Sequence, residues 1–545
     1  MEIELKLSLE PAAVPALRGH PLLLHYRQRR PRTQTLDNEY HDTPGLDLWR
    51  QGIELRLRRQ GGRALQTLKV LRAPLAGDRA PGGLHRLDEW EVPLAPIGPP
   101  ALDIPTLIDW LPRSAAAVGD AVRRAVAQPG FGARVVTHYE RTTWPLMSVH
   151  GDLVELALDT GEIRAGGRVL PLCEVELELR SGQERALFEL AHALHSSGPP
   201  LRIERRGKAE RGFALLAGEP AAGPRTARTV PLSRTMPWPL ALRAIVEECL
   251  AQVQGNEAGV VGAADAEFVH QMRVGLRRLR SALGLFKALA EPPEAVLADL
   301  RWSAGQLGAA RDAEVLVHDT LPRVPAPVPE DPRWPALLAA AGAEAASARQ
   351  GAIEAVRSPR HVGWQLALMD WVCGLGDPDP GRAAQAGGAA QGKPASAQDA
   401  VRGVEDAAGA AGAKSLSEVA ARRLRRLRRR LVRDGRQLQE ADPAARHDAR
   451  IAAKKLRYAT EMLGALQPDV RRKVASRRLR GLAALQQQLG LLNDAEVAAA
   501  RLAGLAARNP ALAAAAAYAQ GWLAADAAQR VQRLGRLWRR VREAI

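Results

Sequence analysis

The chain has 545 residues, 46% of them hydrophobic and only 4% aromatic, with a formal net charge of +17. That length exceeds what one hydrophobic core serves, so two domains are expected. Three cysteines set far apart, Cys173, Cys249 and Cys373, exclude a disulfide framework or a clustered thiolate metal site. The chain shows neither a signal peptide nor about 18 consecutive strongly apolar residues, so a cytoplasmic location is expected.

Residues 1–215 alternate polar and apolar side chains in short runs: Ile3–Leu9, Ile53–Arg58, Ala64–Leu71, Leu84–Leu94, Leu153–Asp159 and Glu174–Arg180. This period of two predicts antiparallel strands. Glu2, Glu4 and Lys6 then share one face and Ile3, Leu5 and Leu7 the other. The same holds for Glu174, Glu176 and Glu178, and for Arg56 with Arg58. A closed barrel would turn the charged faces into a tunnel. Carboxylate clusters suit hard divalent cations, and Arg and Lys suit phosphate oxygens, so such a tunnel fits a metal-bound polyphosphate chain. An ordinary sheet with one solvated, mixed-charge face fits each strand taken alone. No P-loop pattern occurs, which argues against a nucleotide hydrolase of that class.

The Gly/Pro-rich stretch Ala217–Pro239 reads as a linker. From about Leu240 onward, Ala, Leu and Arg recur at helical spacing. Gly374–Ala413 is too poor in large apolar residues to build a core and is expected as a disordered loop between two helical halves. Those halves repeat each other. His270 and His447 are each followed by cations at +3, +7, +8 and +10, and LGAARDAEV from Leu307 echoes LGLLNDAEV from Leu489. On a helix, His270, Arg273, Arg277 and Arg280 form a stripe, as do His447, Arg450, Lys454 and Arg457. Residues 1–215 hold 29 Lys+Arg against 27 Asp+Glu, so nearly all the positive excess lies in this second part. That implies a polyanionic partner, or else solvated Arg-rich faces. Neither histidine has a second ligand at metal spacing, which favours phosphate contact. Asp312 and Asp494, in matching contexts, would orient Arg side chains or cap a turn.

The opening Glu2-x-Glu4-x-Lys6 resembles the ExExK signature of the CYTH superfamily, the triphosphate tunnel metalloenzymes. Further blocks resemble the family in order: YHDTPGLDLWRQGIELRLRR from Tyr40, LHRLDEWEVPL from Leu84, LALDTGEIRAGG from Leu156, CEVELELRSG from Cys173 and PLRIERRGKAERGFAL from Pro200. The resemblance implies an eight-stranded antiparallel barrel and is most similar to the inorganic triphosphatase branch, which splits triphosphate into pyrophosphate and phosphate. It implies that Glu2, Glu4, Glu176 and Glu178 hold Mg²⁺ or Mn²⁺ and that Asp159 assists a second metal. Lys6, Arg56, Arg58, Lys69, Arg141 and Lys208 would grip the triphosphate, with Glu89 and Glu91 completing the wall. Glu2, Glu4, Lys6, Asp159, Glu176 and Glu178 form the implied catalytic set. Gly207 departs from the family, where Ser is frequent, and His41 stands where an aromatic residue is frequent.

The His-x-x-Arg-x3-Arg/Lys pattern with its downstream LG-x3-D resembles the CHAD domain. This implies that the eight residues of the two His-led stripes bind inorganic polyphosphate. The expected whole is an α+β multi-domain protein. An N-terminal eight-stranded antiparallel β tunnel barrel with flanking helices spans 1–215, a linker 216–239, and a C-terminal all-α duplicated helical bundle 240–545. The repeats cover about 240–373 and 415–545 around loop 374–414. Inorganic triphosphate and polyphosphate are the expected partners, with association with polyphosphate granules in reach and no membrane. A non-catalytic polyphosphate binder and an RNA-binding protein are the alternatives, and the Arg stripes lack the interleaved aromatics that stack bases. Adenylyl cyclase and thiamine triphosphatase activities share the barrel fold.

Overall fold

The computed structural model describes residues 2–71, 83–94, 101–218, 223–326, 331–376, 415–436, 438, 440, 442–466 and 472–545. Of the low-complexity stretch, positions 377–414 lie outside the described residues, as do 219–222 of the expected linker. The chain forms two compact units, Met1–Ala222 with Pro359–Gly374, and Gly223–Ser358 with Leu375–Ile545.

The first unit is built on strands β1 (Glu2–Ser8), β2 (Arg32–Asp42), β3 (Ile53–Gln60), β4 (Arg63–Leu71), β5 (Leu84–Pro93), β6 (Gly132–Met147), β7 (Leu153–Ala165) and β8 (Arg168–Ser181), with a two-residue β9 (Arg202–Ile203). Neighbours run β5-β4-β3-β2-β6-β7-β8-β1, and β1 also pairs with β5, which closes an eight-stranded antiparallel barrel. The alternation in the sequence therefore sorts side chains between an apolar outside and a charged inside. Two hairpins have the turn chemistry that closure needs. Gly61–Gly62 joins β3 to β4 and Gly166–Gly167 joins β7 to β8, all four at positive φ, as a two-residue turn matching the strand twist requires.

Helices α1 (Val14–Arg18), α2 (Pro21–Tyr26), α3 (Asp47–Arg50), α4 (Ile104–Asp109), α5 (Ala116–Val126), α6 (Arg185–Ser197) and α7 (Lys208–Ala217) flank the barrel. One apolar cluster packs Ala121, Val122 and Ala125 of α5 over Ile53, Leu55, Leu68 and Val92 of the wall. A second packs Ala209 and Phe213 of α7 among Leu36, Tyr40, Val135, Tyr139, Ile163 and Leu172. This seats the first turn of α7, with Lys208, at the cavity. The helix Pro359–Cys373 lies against α6. There Arg185 Nε donates to Asp370 Oδ1 at 2.8 Å, and His195 Nε2 donates to the Pro359 carbonyl at 2.8 Å.

The second unit is helical: α8 (Trp238–Gly262), α9 (Glu267–Phe286), α10 (Glu294–Val315), α11 (Arg333–Arg357), then, after α12 (Pro359–Cys373) of the first unit, α13 (Leu416–Asp434), α14 (Pro443–Leu463), α15 (Arg472–Arg508) and α16 (Ala513–Ala544). Consecutive helices pair as α8–α9, α10–α11, α13–α14 and α15–α16, and α9 meets α14 across the repeats. Leu316, Trp334 and Leu337 share one core with Leu502, Leu505, Leu512 and Leu523, so the repeats bury surface against each other. Ser415 and Glu418 form a capping box at the start of α13. Arg225 and Asn256 exchange two hydrogen bonds of 3.0 Å, and Arg228 N–H donates to Glu248 at 2.8 Å, which pins this chain entry onto α8. Among the described residues no helix is long and apolar enough to cross a membrane.

Candidate functional site

The barrel encloses a cavity of about 420 Å³ whose wall is almost entirely charged or polar. Its charges come in pairs set by strand register, which aligns Lys6 with Glu176, Glu4 with Glu178 and Lys69 with Glu89. Lys6 Nζ lies 2.8 Å from Glu4 Oε1 and also bonds Glu176. Burial works against this ammonium, yet Glu176 and Glu4 outweigh it and hold Lys6 above its ordinary value. Lys69 behaves likewise, opposed by burial and lifted by Glu2 at 2.6 Å and Glu89 at 3.3 Å. Arg56 reaches Thr67 at 3.1 Å, Glu89 at 3.3 Å and Glu91 at 3.6 Å. Arg58 differs: its partner at 2.8 Å is the neutral amide oxygen of Asn38, and burial followed by Arg56 pushes its guanidinium down. A phosphate oxygen beside Arg58 would supply the absent negative charge.

The expected residues Glu2, Glu4, Lys6, Arg56, Arg58, Lys69, Glu89, Glu91, Arg141, Glu176, Glu178 and Lys208 all line this cavity. Asp159 is wholly buried behind the wall. It grips Arg141 with two bonds of 2.7 Å and takes Lys208 Nζ at 2.6 Å. The reading of the sequence passed over Tyr40, Glu54, His85, Tyr139, Glu155 and Arg180, which also line the cavity. Strand parity held the signal for five of them, because Glu54, His85, Tyr139, Glu155 and Arg180 each lie an even number of residues from a nominated neighbour on their own strand, whereas the strand of Tyr40 carried no nominated residue.

Two carboxylate groups bear on metal binding. Asp159, Glu174 and Glu176 are buried and close enough for one ion to bridge. However, Lys208 Nζ sits among all three, and Arg211, Arg141 and Lys6 meet the remaining charge. Glu2, Glu4 and Glu178 each share their cation with a second carboxylate: Lys69 also meets Glu89, Lys6 also meets Glu176, and Arg180 also meets Glu155. Burial, then Glu2, with a further push from Glu4, raises the Glu178 carboxyl to about 7 despite Arg180 beside it. A divalent cation would relieve that repulsion, and an all-carboxylate oxygen set suits a hard ion such as Mg²⁺ or Mn²⁺.

In the helical unit the packing of α9 against α14 gathers cations from both repeats. Arg273 Nη1 donates to Asp312 at 2.5 Å and to the Gly308 carbonyl at 3.3 Å. In the second repeat Arg450 Nη1 donates to Asn493 Oδ1 at 3.0 Å, and His447 Nδ1 lies 3.1 Å from the same oxygen. The LG-x3-D segments thus hold the leading cation of each stripe. Burial, then Arg450, Arg277 and Arg273, pushes the Lys454 ammonium down to about 7. Burial likewise lowers His270, with Arg311, Arg277 and Arg273 adding to the effect. Arg457 lies 3.4 Å from Glu461 and covers the Tyr458 ring at 5.1 Å. Arg280 is exposed and faces Lys455 instead of this cluster.

The CYTH domain family model matches residues 1–213 and the CHAD domain model residues 244–503. Over 218 residues the chain is 28% identical to an inorganic triphosphatase of Haemophilus influenzae, covering 39% of this chain and 54% of that protein. Over 340 residues it is 30% identical to an uncharacterized protein of Mycobacterium tuberculosis, covering 58% of each. The chain thus spans little more than half the length of the curated relatives it matches. Among solved structures, the CHAD domain from the plant Ricinus communis aligns at 31% identity with a TM-score of 0.48, over 58% of this chain and 96% of that one. The chain therefore joins a CYTH domain, residues 1–213, to a CHAD domain, residues 244–503.

Proposed function

We propose that the barrel hydrolyses inorganic triphosphate to pyrophosphate and phosphate with Mg²⁺ or Mn²⁺, while the helical unit binds inorganic polyphosphate through its facing stripes. The observation that carries the reading is the cavity wall, where buried cations and surplus carboxylate face each other across one space. Glu2, Glu4 and Glu178, with Glu176 beside them, would hold the divalent ion. When bound, such an ion would supply neutralisation of phosphate charge. Arg56, Arg58, Lys69, Arg141 and Lys208 bind the phosphate oxygens, and Asp159 fixes Arg141 and Lys208 in place. Preorganised cations of this kind act where charge develops and need no rearrangement during the reaction.

A polyphosphate binder without turnover is the second reading, and the paired state of most cavity cations is what favours it. Phosphate release from inorganic triphosphate, ATP, thiamine triphosphate and long-chain polyphosphate, with either metal and with chelator, separates the two. We expect metal-dependent release, fastest from inorganic triphosphate, and a fall of about 100- to 1000-fold in Glu4→Gln without unfolding. Absence of turnover on every substrate would leave the binder. In the helical unit, displacement of polyphosphate by RNA at equal phosphate concentration would replace polyphosphate by RNA as its ligand.

A further inference from the structure

His85 lies on β5 opposite Glu4 of β1, lines the barrel cavity and is 4% exposed. Its Nε2 is buried without a hydrogen-bond partner. The ring also meets the backbone of Glu204, whose N–H is already given to the Lys6 carbonyl at 3.0 Å. The partner on Glu204 is therefore its carbonyl, and Nδ1 is the nitrogen that donates to it. This fixes the tautomer and leaves a lone pair on Nε2. Glu4 and Glu176 accept from Lys6, and Glu2 accepts from Lys69, so these carboxylates are engaged. Ionised phosphate oxygens have no proton to offer a lone pair. A water molecule does.

We infer that His85 is a further catalytic residue of this site: its Nε2 accepts a hydrogen bond from the attacking water and turns a lone pair of the water oxygen toward the terminal phosphorus. The inference rests on the hydrolytic reading of the cavity. In the step, the water oxygen bonds to the terminal phosphorus while the bridging P–O bond breaks, its electron pair leaving on pyrophosphate. Both protons of the water depart on the released phosphate, and His85 neither gains nor loses one.

His85→Asn in the full chain tests the role, because Asn keeps a donor for the Glu204 carbonyl and removes Nε2. The expected result with inorganic triphosphate is a kcat lower by about 100-fold with KM nearly unchanged, the signature of lost orientation. A kcat close to that of the wild-type chain overturns the inference, as does a raised KM with kcat retained, which would place the ring on the substrate. A wild-type chain inactive on every triphosphate removes the hydrolytic reading itself, and the role of His85 with it. Should the variant fail to fold, nitrogen NMR of histidine-labelled wild-type protein reads the tautomer directly. A proton on Nδ1 supports the assignment, and a proton on Nε2 overturns it.

Discussion

Lys6 is buried and Lys454 half-buried, and their surroundings drive the two ammonium groups in opposite directions. Lys6 has Glu176 and Glu4 beside it and stays charged, whereas Lys454 stands among Arg450, Arg277 and Arg273 and drops to about 7. A polyanion across the stripes favours the charged form of Lys454, so binding takes up a proton once the free lysine has become neutral. Polyphosphate affinity should therefore fall as pH rises from about 7 toward the ordinary lysine range, by up to about tenfold per unit. Titrations of labelled polyphosphate across that range check this, with Lys454→Met expected to flatten the dependence. A flat wild-type profile would refute it. The charged faces of β1 and β8 were legible as alternation. The closing of Arg141 and Lys208 over Asp159 was not, because parity says which way a side chain points and nothing of what covers it.

Among the elements, α7 couples fold to site most directly. Gly212 packs so close to β6 that an added Cβ would stand 2.1 Å from Val135 Cγ1. Gly212→Ala should cost about 1–3 kcal/mol through overpacking, although Ala is otherwise the better helix former. It should also lower triphosphate turnover at temperatures where the protein stays folded, since Lys208 begins the same helix. Denaturant midpoints and initial rates measured together decide this, and an unchanged midpoint would show that the contact relaxes at no cost. Period-two runs and the duplicated His-led stripes made strands and helices readable. Which stripe residues converge depends on where α14 crosses α9. Spacing within one helix left Arg280 indistinguishable from Arg277, yet Arg277 meets Lys454 and Arg457 of the opposite stripe, whereas Arg280 meets Lys455, which lies off that stripe.

At the scale of the molecule, the first unit is discontinuous in sequence. Leu366 of α12 is wholly buried, although about 140 residues of chain separate α12 from α7. Leu366→Ala should cost about 2–5 kcal/mol and lower the temperature at which triphosphate turnover is lost. Thermal inactivation of the variant beside the wild-type chain measures this, and equal inactivation curves would show that α12 adds nothing to the barrel unit. The sequence held no sign of the excursion, because the apolar spacing of α12 matches that of its neighbours and the choice of partner lies in the face of α6.

The same discontinuity imposes an order on synthesis. When Ala217 leaves the ribosome every strand of the barrel has been made, yet the helix that completes its unit has not. At about 5–20 residues per second, roughly 8 to 30 s pass before Gly374 follows. During that interval the nascent barrel carries α6 uncovered, while the first four helices of the second unit emerge beside it. A chaperone that shields one helical face for tens of seconds would act on this protein while it is being translated.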